Sequence, residues 1–421
     1  MPPLHVDLEQ LARRENEQTE WKENVADVND VVATLCAFAN DIQNLGGGYV
    51  VCGAREEMDA HGFPRLVRTG LNATRLKELE NLVLARCRER VFPGIAPLVE
   101  ELDSDDPERR ILVFLQPATG TAHTFRRERD GAKHFVRVSR STLEARNGLL
   151  RDLLVRKGAL EPWDRRPCAA ATVADIDLLA LRDGLQRLGL ADTPEHYFSS
   201  ETSLSAFVPP LLAREPLTGT LRPRYFALLL FGRQPQMFIP GAISFFSTYE
   251  GVDRASIRGQ RMELAHTLTD QLRVMLPALE AESKALFDKS DTARPTVYKY
   301  PVRALREALV NAFAHRDYEL VDPVRVTAFA DRIEISSPGG LPLGVEPDAL
   351  AAGTAGPRWR NQTLAWFLSR LGYAEAEGQG LRTIRSTLLD AGCPPPEFEV
   401  DAVRVVCTLR AHPRAASARS S

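Results

Sequence analysis

Long apolar runs are missing from this chain of 421 residues. None approaches the length of about 18 that a membrane-crossing helix requires, and the opening MPPLHVDLEQ carries no signal-peptide pattern. Paired cysteines are missing too. Cys36, Cys52, Cys87, Cys168, Cys393 and Cys407 are scattered, most of them in apolar runs and none in a Cys-x-x-Cys pair. Such spacing reads as buried free thiols in a reducing compartment, so the expected location is the cytoplasm. Nor is there an excess of either charge. Lys and Arg number 53 against 56 Asp and Glu, a net of −3, so a nucleic-acid surface has to be a local patch. No repeat of solenoid period is present.

What is there is the ordinary balance of a globular protein, 44% hydrophobic and 26% charged, in a chain long enough for two or three cores. The pattern of elements predicts an α+β protein. It divides into an N-terminal mixed domain over 4–160, an α/β connector over 161–294 and a C-terminal α/β domain over 295–410. Residues 411–421, small, basic and polar, read as a disordered tail.

The rest is organised around LREALVNAFAHRDY, residues 305–318. Helical spacing sets Glu307, Asn311 and His315 on one wet face and turns Leu305, Leu309 and Phe313 toward a core. There a carboxylate can orient a water, an amide oxygen suits a hard cation such as Mg2+, and an imidazole can donate to phosphate. A plain solvated face has the same spacing. Downstream, the β-rich VRVTAFA leads to DRIEISSPGGLP, with Asp331 and Arg332 at a hairpin turn and Ser336 to Gly340 breaking the strand. RNQTLAWFLSRLGY is an amphipathic helix. Gly378-Gln379-Gly380 then opens another, with Leu381, Ile384 and Leu388 on its apolar side. Glycines before a helix form a phosphate cradle, because free N–H groups and the positive end of the dipole face the ligand.

These residues carry a resemblance. Positions 295–410 look like the GHKL (Bergerat-type) ATPase sandwich of gyrase B, Hsp90, histidine kinases and MutL. They resemble more closely its divergent RecG-related C-terminal branch in bacterial ATP-binding regulators. EALVNAFAHRDY matches the N-box, DRIEISSPGGLP the first glycine segment and EGQGL the second. The resemblance implies that Glu307 activates water, Asn311 ligates Mg2+ and Gly378 and Gly380 contact phosphates, with His315, Gly339 and Gly340 also facing ATP. The Asp-x-Gly whose carboxylate reads adenine in that family is absent. SPGG stands in its place, and Asp331 lies several residues upstream. Nucleotide binding is therefore expected ahead of fast hydrolysis.

In the N-terminal part, TEWK reads as a strand, VVATLCAFAND as a helix and GGGYVVCG as the clearest strand of the chain. NATRLKELENLVLARCRERV is a helix capped by Asn72 or Thr74, ILVFLQP and HFVRVS are strands, and STLEARNGLLRDLLVRKG is a closing helix capped by Ser141 or Thr142. Arg126, Arg127, Arg129, Lys133, His134, Arg137 and Arg140 cluster within fifteen residues among Phe125 and Phe135. Cations for phosphates and rings for bases are the footprint of single-strand or RNA contact. A solvated hairpin tip, diluted by Glu128 and Asp130, is the plain alternative. In the connector, IRGQRMELAHTLTDQLRVMLPALEAESKALF reads as a long helical pattern interrupted at Pro277, giving two helices or a kink and serving as a connector, a dimer surface or ordinary core.

A second resemblance covers most of residues 10–150. TEWKENV, AFANDIQNLGGGYVVCGARE and HFVRVSRST, in that order, look like the Schlafen/AlbA-type nucleic-acid-binding domain. In vertebrate Schlafens this core can be a metal-dependent RNase with three acids around a divalent ion. Carried over by position, those acids are Glu15, Glu20 and Glu56, with Lys22 also matching. Glu56 stands where Schlafens have Asp, and Arg55 where the family usually has another acid. Three carboxylates around Mg2+ or Mn2+ would generate a hydroxide for phosphodiester cleavage. Arg55 would repel that cation or clamp a phosphate.

Two functions from different classes follow. One is an ATP-gated, metal-dependent endoribonuclease acting on tRNA or other RNA, suited to prokaryotic defence against phage. The other is an ATP-binding, DNA-binding transcriptional regulator that does not cleave. Both take nucleic acid (RNA or DNA) and ATP as partners, without a membrane. Because GHKL relatives often dimerise, a homodimer or higher oligomer is expected.

Overall fold

The computed structural model describes residues 18–414 apart from 59–63, 129, 191–192, 200–202, 206–207, 216–217, 257, 287–296, 343–344, 346, 355–358 and 374–379. Two compact units make up the chain, Met1–Glu161 and Pro162–Ser421. No described helix is long and apolar enough to cross a membrane. All six cysteines are buried and unpaired.

The first unit runs β1 (Thr19–Lys22), α1 (Val28–Asn40), β2 (Gly47–Cys52), β3 (Arg55–Met58), β4 (Pro64–Val67), α2 (Ala73–Glu89) and β5 (Val91–Phe92). It continues with β6 (Leu98–Asp103), β7 (Arg110–Pro117), β8 (Thr124–Arg126), β9 (Ala132–Val138), β10 (Ser141–Glu144) and α3 (Asn147–Arg156). One sheet has the order β1-β2-β7-β6, with β1 parallel to β2, and a second the order β10-β9-β8-β5. Helix α1 is buried nearly all round, as its VVATLCAFA run dictates. Asp27 caps its start by accepting from Asn29 N. Strand β2 can lie close to it because a side chain at Gly48 would run into the Phe38 ring and the Gln18 carbonyl.

Asn40, at the end of α1, ties the helix to the second sheet. Its Nδ2 donates to His123 O at 3.0 Å and Phe135 O at 2.7 Å, and its Oδ1 accepts from His123 N at 2.7 Å. The closing helix expected from Ser141 onward differs. Ser141–Glu144 pair antiparallel with Val138–Phe135, and the helix starts at Asn147. A turn with Ser139 at φ 51° folds the chain back onto β9, so cross-strand pairing takes residues that would otherwise cap a helix.

The second unit begins with α4 (Leu178–Arg187), α5 (Pro194–Ser199), the hairpin β11 (Leu212–Arg214) and β12 (Leu221–Pro223), and α6 (Tyr225–Phe231). Next come β13 (Ser244–Tyr249), β14 (Gly259–Leu264), α7 (Leu268–Glu280), the hairpin β15 (Ala285–Leu286) and β16 (Val297–Tyr298), and α8 (Val302–His315). It ends with β17 (Val324–Ala328), β18 (Arg332–Pro338), α9 (Pro347–Ala352), α10 (Gln362–Arg370), α11 (Gly380–Asp390), β19 (Glu397–Val400) and β20 (Arg404–Arg410). Its main sheet has the order β14-β13-β17-β18-β20-β19. A single hydrophobic core extends from Cys168 to Ala411. Residues 161–294, read above as a connector, thus supply two strands of that sheet and part of that core.

The helical stretch expected around Pro277 is shorter than its pattern. Gly259–Leu264 form β14 against β13, and the helix runs only from Leu268 to Glu280, capped by Thr267 and with Pro277 in its last turn. The Arg261 guanidinium sits 3.9 Å from the Phe245 ring centroid on the neighbouring strand, a contact that local helical periodicity cannot reveal. The tail also departs from expectation at its start. Ala411 N donates to Asp331 O at 2.8 Å and His412 N to Lys299 O at 2.9 Å. At the other end of the unit, Trp163 is stacked between Tyr225 and Tyr318 at 4.4 and 5.4 Å. Next to it, the buried Asp164 carboxylate accepts from Thr363 N and Leu364 N and caps α10.

Candidate functional sites

The first unit presents a cleft of about 250 Å3 lined by Thr19, Glu20, Trp21, Arg55, Glu56, Arg137 and Arg140. Strand β1 supplies Glu20 and Lys22 two residues apart, hence on one face. Glu20 Oε2 lies 2.6 Å from Arg137 Nη1, and its Oε1 lies 3.0 Å from Lys22 Nζ. Arg137 itself is buried on β9. It donates to Thr142 Oγ1 at 3.2 Å and Thr19 O at 3.3 Å, with its guanidinium 5.6 Å from the Phe38 ring. Two polar atoms remain buried without a partner here, Arg137 Nε and Thr19 Oγ1. Arg55 pairs with Glu23 at 2.8 Å and with Glu57. Arg140, in the turn after β9, is exposed.

Of the expected acid set, Glu20 and Glu56 therefore share one cleft, while Glu15 lies outside the described residues. Among the described residues no three His, Cys, Asp or Glu side chains gather as a metal ion would need. The basic cluster is split. Arg137 and Arg140 face the cleft, whereas Lys133 pairs with Glu144 and Asp130, and Arg127 with Asp30. The Arg146 and Lys133 bonds hold the Glu144 carboxyl below its usual range. Arg126 is exposed and outside the cleft lining, and Arg129 lies outside the described residues. Phe125 and Phe135, expected to stack on bases, are instead core residues with centroids 6.0 Å apart. Alternation along β8 points Phe125 inward and Arg126 outward, whereas on β9 Lys133, Phe135 and Arg137 share one face, with Phe135 and Arg137 buried there.

The second unit holds a cavity of about 140 Å3 between α8, α11 and the sheet, with Asn311, His315, Ser337, Gly339, Gly340, Trp359 and Gly380 in its lining and aliphatic side chains such as Ile335, Leu341 and Ile384 around them. Leu305, Leu309 and Phe313 are buried as expected. The opposite face is not uniformly wet, because Glu307 is buried. The start of α11 covers it. A Cβ at Gly380 would clash with Glu307 Oε1 and lie 3.0 Å from Asn311 Nδ2, so glycine is what lets this helix end approach. Gly378 lies outside the described residues.

His315 stacks on Trp359, centroids 4.8 Å apart and planes 14° from parallel. Burial, and then the nearby Arg360, push its imidazole down to about 4, so the ring is neutral at physiological pH. Ser337 Oγ donates to Ala312 O at 2.7 Å. The strand does not break at Ser336, as expected, but continues to Pro338, which pairs with Arg404. Gly339 follows with φ +99°, and a side chain there would meet Asp317 Cβ at 2.7 Å. Asp331 does not reach the cavity. It sits at the far end of β18, beside Arg332 at 3.0 Å and about 26 Å of extended chain from Gly339.

Three consecutive residues escaped the sequence reading. Trp359 lines the cavity. Arg360 joins its walls, donating to His315 O at 3.2 Å and Gly340 O at 2.8 Å and pairing with Asp317 at 3.3 Å. Asn361 Nδ2 donates to Ala314 O and Arg316 O at 3.0 and 2.8 Å, closing the C-terminal end of α8. The only local signal was a polar Arg-Asn pair immediately before an amphipathic helix.

Comparison with known proteins agrees with both halves. Residues 15–146 match the family described as "Schlafen, AlbA_2", and residues 322–409 the one described as "Putative ATP-dependent DNA helicase recG C-terminal". Similar solved structures include the DIP2311 protein from Corynebacterium diphtheriae, 18% identical over 94% of this chain and 75% of that one, with a TM-score of 0.46. Another is the N-terminal domain of a putative ATP-dependent DNA helicase RecG-related protein from Nitrosomonas europaea. It is 19% identical over 24% of this chain and 62% of that one, with a TM-score of 0.20. No curated protein matches the chain.

Proposed function

We propose that this chain, which joins a Schlafen/AlbA_2-type domain to a RecG-related C-terminal domain, binds the phosphate backbone of nucleic acid through its Arg137 cleft and an adenine nucleotide in the cavity beside α8. The state of Glu20 carries the first part. Its carboxylate is already neutralised by Arg137 and Lys22. A divalent cation needs that carboxylate for itself, whereas a phosphate needs donors, and the exposed Arg55 and Arg140 in the cleft lining supply them. The described residues of the cleft do not fit a metal ion.

For the nucleotide, the fit is better. The cavity is mostly apolar with a few convergent polar groups, the usual make-up of a small-molecule site. Asn311 and the first N–H groups of α11 would face the phosphates, and Glu307, against Gly380, would hold a water. Bound ATP would supply a transferable phosphoryl group. A metal-dependent nuclease is the second reading. It draws on Glu20 and Glu56 lining one cleft, and it requires Lys22 and Arg137 to release Glu20.

The test is binding and cleavage of labelled tRNA, single-stranded RNA and duplex DNA by the full chain, over a salt series, with and without Mg2+, Mn2+ and ATP. Salt-sensitive binding without cutting is expected. Metal-dependent cutting abolished in both Glu20→Gln and Glu56→Gln would replace this reading with the nuclease. Absence of salt-sensitive binding to any of the three would remove the nucleic-acid reading altogether.

A further inference from the structure

The cavity beside α8 has a direction. Asn311 lies at its α11 end, against Gly380, and His315 lies just over one helical turn further, about 6 Å along the axis, with Gly339, Gly340 and Trp359 also in the lining. The helix N-terminus marks the phosphate end, which leaves the base for the His315–Trp359 end. Two features there are chemically selective. The stacked His315 and Trp359 rings form a flat, uncharged aromatic wall. Ser337 has committed its proton to Ala312 O, so the hydroxyl oxygen of this buried residue offers the cavity lone pairs only. No carboxylate lines the cavity among the described residues.

Resting on the nucleotide-binding reading above, we infer that Trp359 and Ser337 are the base-reading residues of this site: the Trp359–His315 wall stacks a purine, and Ser337 Oγ accepts from an amine at purine position 6. A 6-oxo purine would set carbonyl oxygen against hydroxyl lone pairs and leave both buried acceptors unsatisfied. The site should therefore prefer a 6-amino purine nucleotide without the carboxylate that reads adenine in GHKL relatives.

Calorimetric titration of the full chain with ATP and with inosine triphosphate tests this, because the two differ only at the 6-amino or 6-oxo group and the adjoining N1, and the Ser337 variants isolate the share read at position 6. The wild-type chain should favour ATP about tenfold, the value of one well-made hydrogen bond. Ser337→Ala should bring the two nucleotides within about twofold, while Ser337→Thr, which keeps the hydroxyl, should retain the preference. Trp359→Leu should weaken both by about five- to tenfold and leave their ratio intact. An unchanged preference in a folded Ser337→Ala variant, or equal wild-type affinity for the two nucleotides, overturns the inference alone. Binding of neither nucleotide by the wild-type chain overturns the nucleotide reading itself.

Discussion

Replacing Asn40 by alanine tests whether one amide holds the first unit's helix to the strands that carry its cations. Asn40 is fully buried, and its side chain serves His123 N, His123 O and Phe135 O. His123 O keeps a second donor in His134 Nδ1 at 2.8 Å, but His123 N–H loses the acceptor it has in this structure. A stranded buried donor costs about 1–3 kcal/mol, and two further lost bonds cost about 0.5–1.5 kcal/mol each. The sum is about 2–6 kcal/mol, and even about 3 kcal/mol corresponds to more than a hundredfold in opening equilibrium at 1.4 kcal/mol per decade. Native-state hydrogen exchange read by mass spectrometry gives that number directly. Peptides spanning α1 and β9 should exchange about a hundredfold faster in Asn40→Ala, while peptides of α8 in the second unit stay unchanged. A change below about fivefold in α1 and β9, or an equal change in α8, would refute the reasoning.

Four more outcomes are expected. Arg140→Ala should lower nucleic-acid affinity and reduce the slope of log affinity against log salt by about one, and an unaltered slope would remove Arg140 from the phosphate contacts. Gly380→Ala pushes a methyl group into Glu307 and Asn311, so nucleotide affinity by calorimetry should fall by about tenfold or more, and retained affinity would separate this helix end from the site. His315 has its pKa depressed from 6.5 to about 4, so the unfolded chain binds the proton more readily. Stability from this residue is full above pH 6.5 and is lost as pH falls toward 4, and His315→Phe should flatten the second unit's urea midpoint across that window. Asp164→Ala removes the acceptor for Thr363 N and Leu364 N, and faster exchange at the start of α10, equivalent to about 1–2 kcal/mol, is the expected signature.

The elements legible in the sequence are those whose cause is local. The glycine-led β2, the Asn72 cap of α2, accepting from Arg75 N at 2.9 Å, and the buried face of α8 each follow from short-range pattern. So does the Gly380 start of α11. Where the expectation differed, the cause was pairing with a neighbouring strand, which helical spacing does not encode. Gly259–Leu264 has helical spacing but is recruited by β13, and Ser141–Glu144 by β9. At the site, residue types were easier to foresee than their state. Glu20 and Glu56 do share a cleft, but nothing in TEWK announces that Arg137, more than a hundred residues on, neutralises Glu20. Trp359, Arg360 and Asn361 show no periodicity because their partners sit about 45 residues away at the end of α8.

The six-stranded sheet has a practical consequence for dissecting the protein. Strand β17 is interior, with β13 on one side from Ser244↔Val324 to Thr248↔Ala328 and β18 on the other. A fragment cut to residues 322–409, or begun near 295, would strip β13 and β14 away and leave β17, with its buried Val324 and Val326, as a raw edge open to intermolecular pairing. Such a piece should self-associate even when, as in one begun near 295, it keeps the α8 wall of the cavity, and loss of function in it would say nothing about the site. A fragment begun at Pro162 keeps the missing strands, Trp163 between its two tyrosines and the Asp164 cap, and is the shortest one whose behaviour would speak for the second unit.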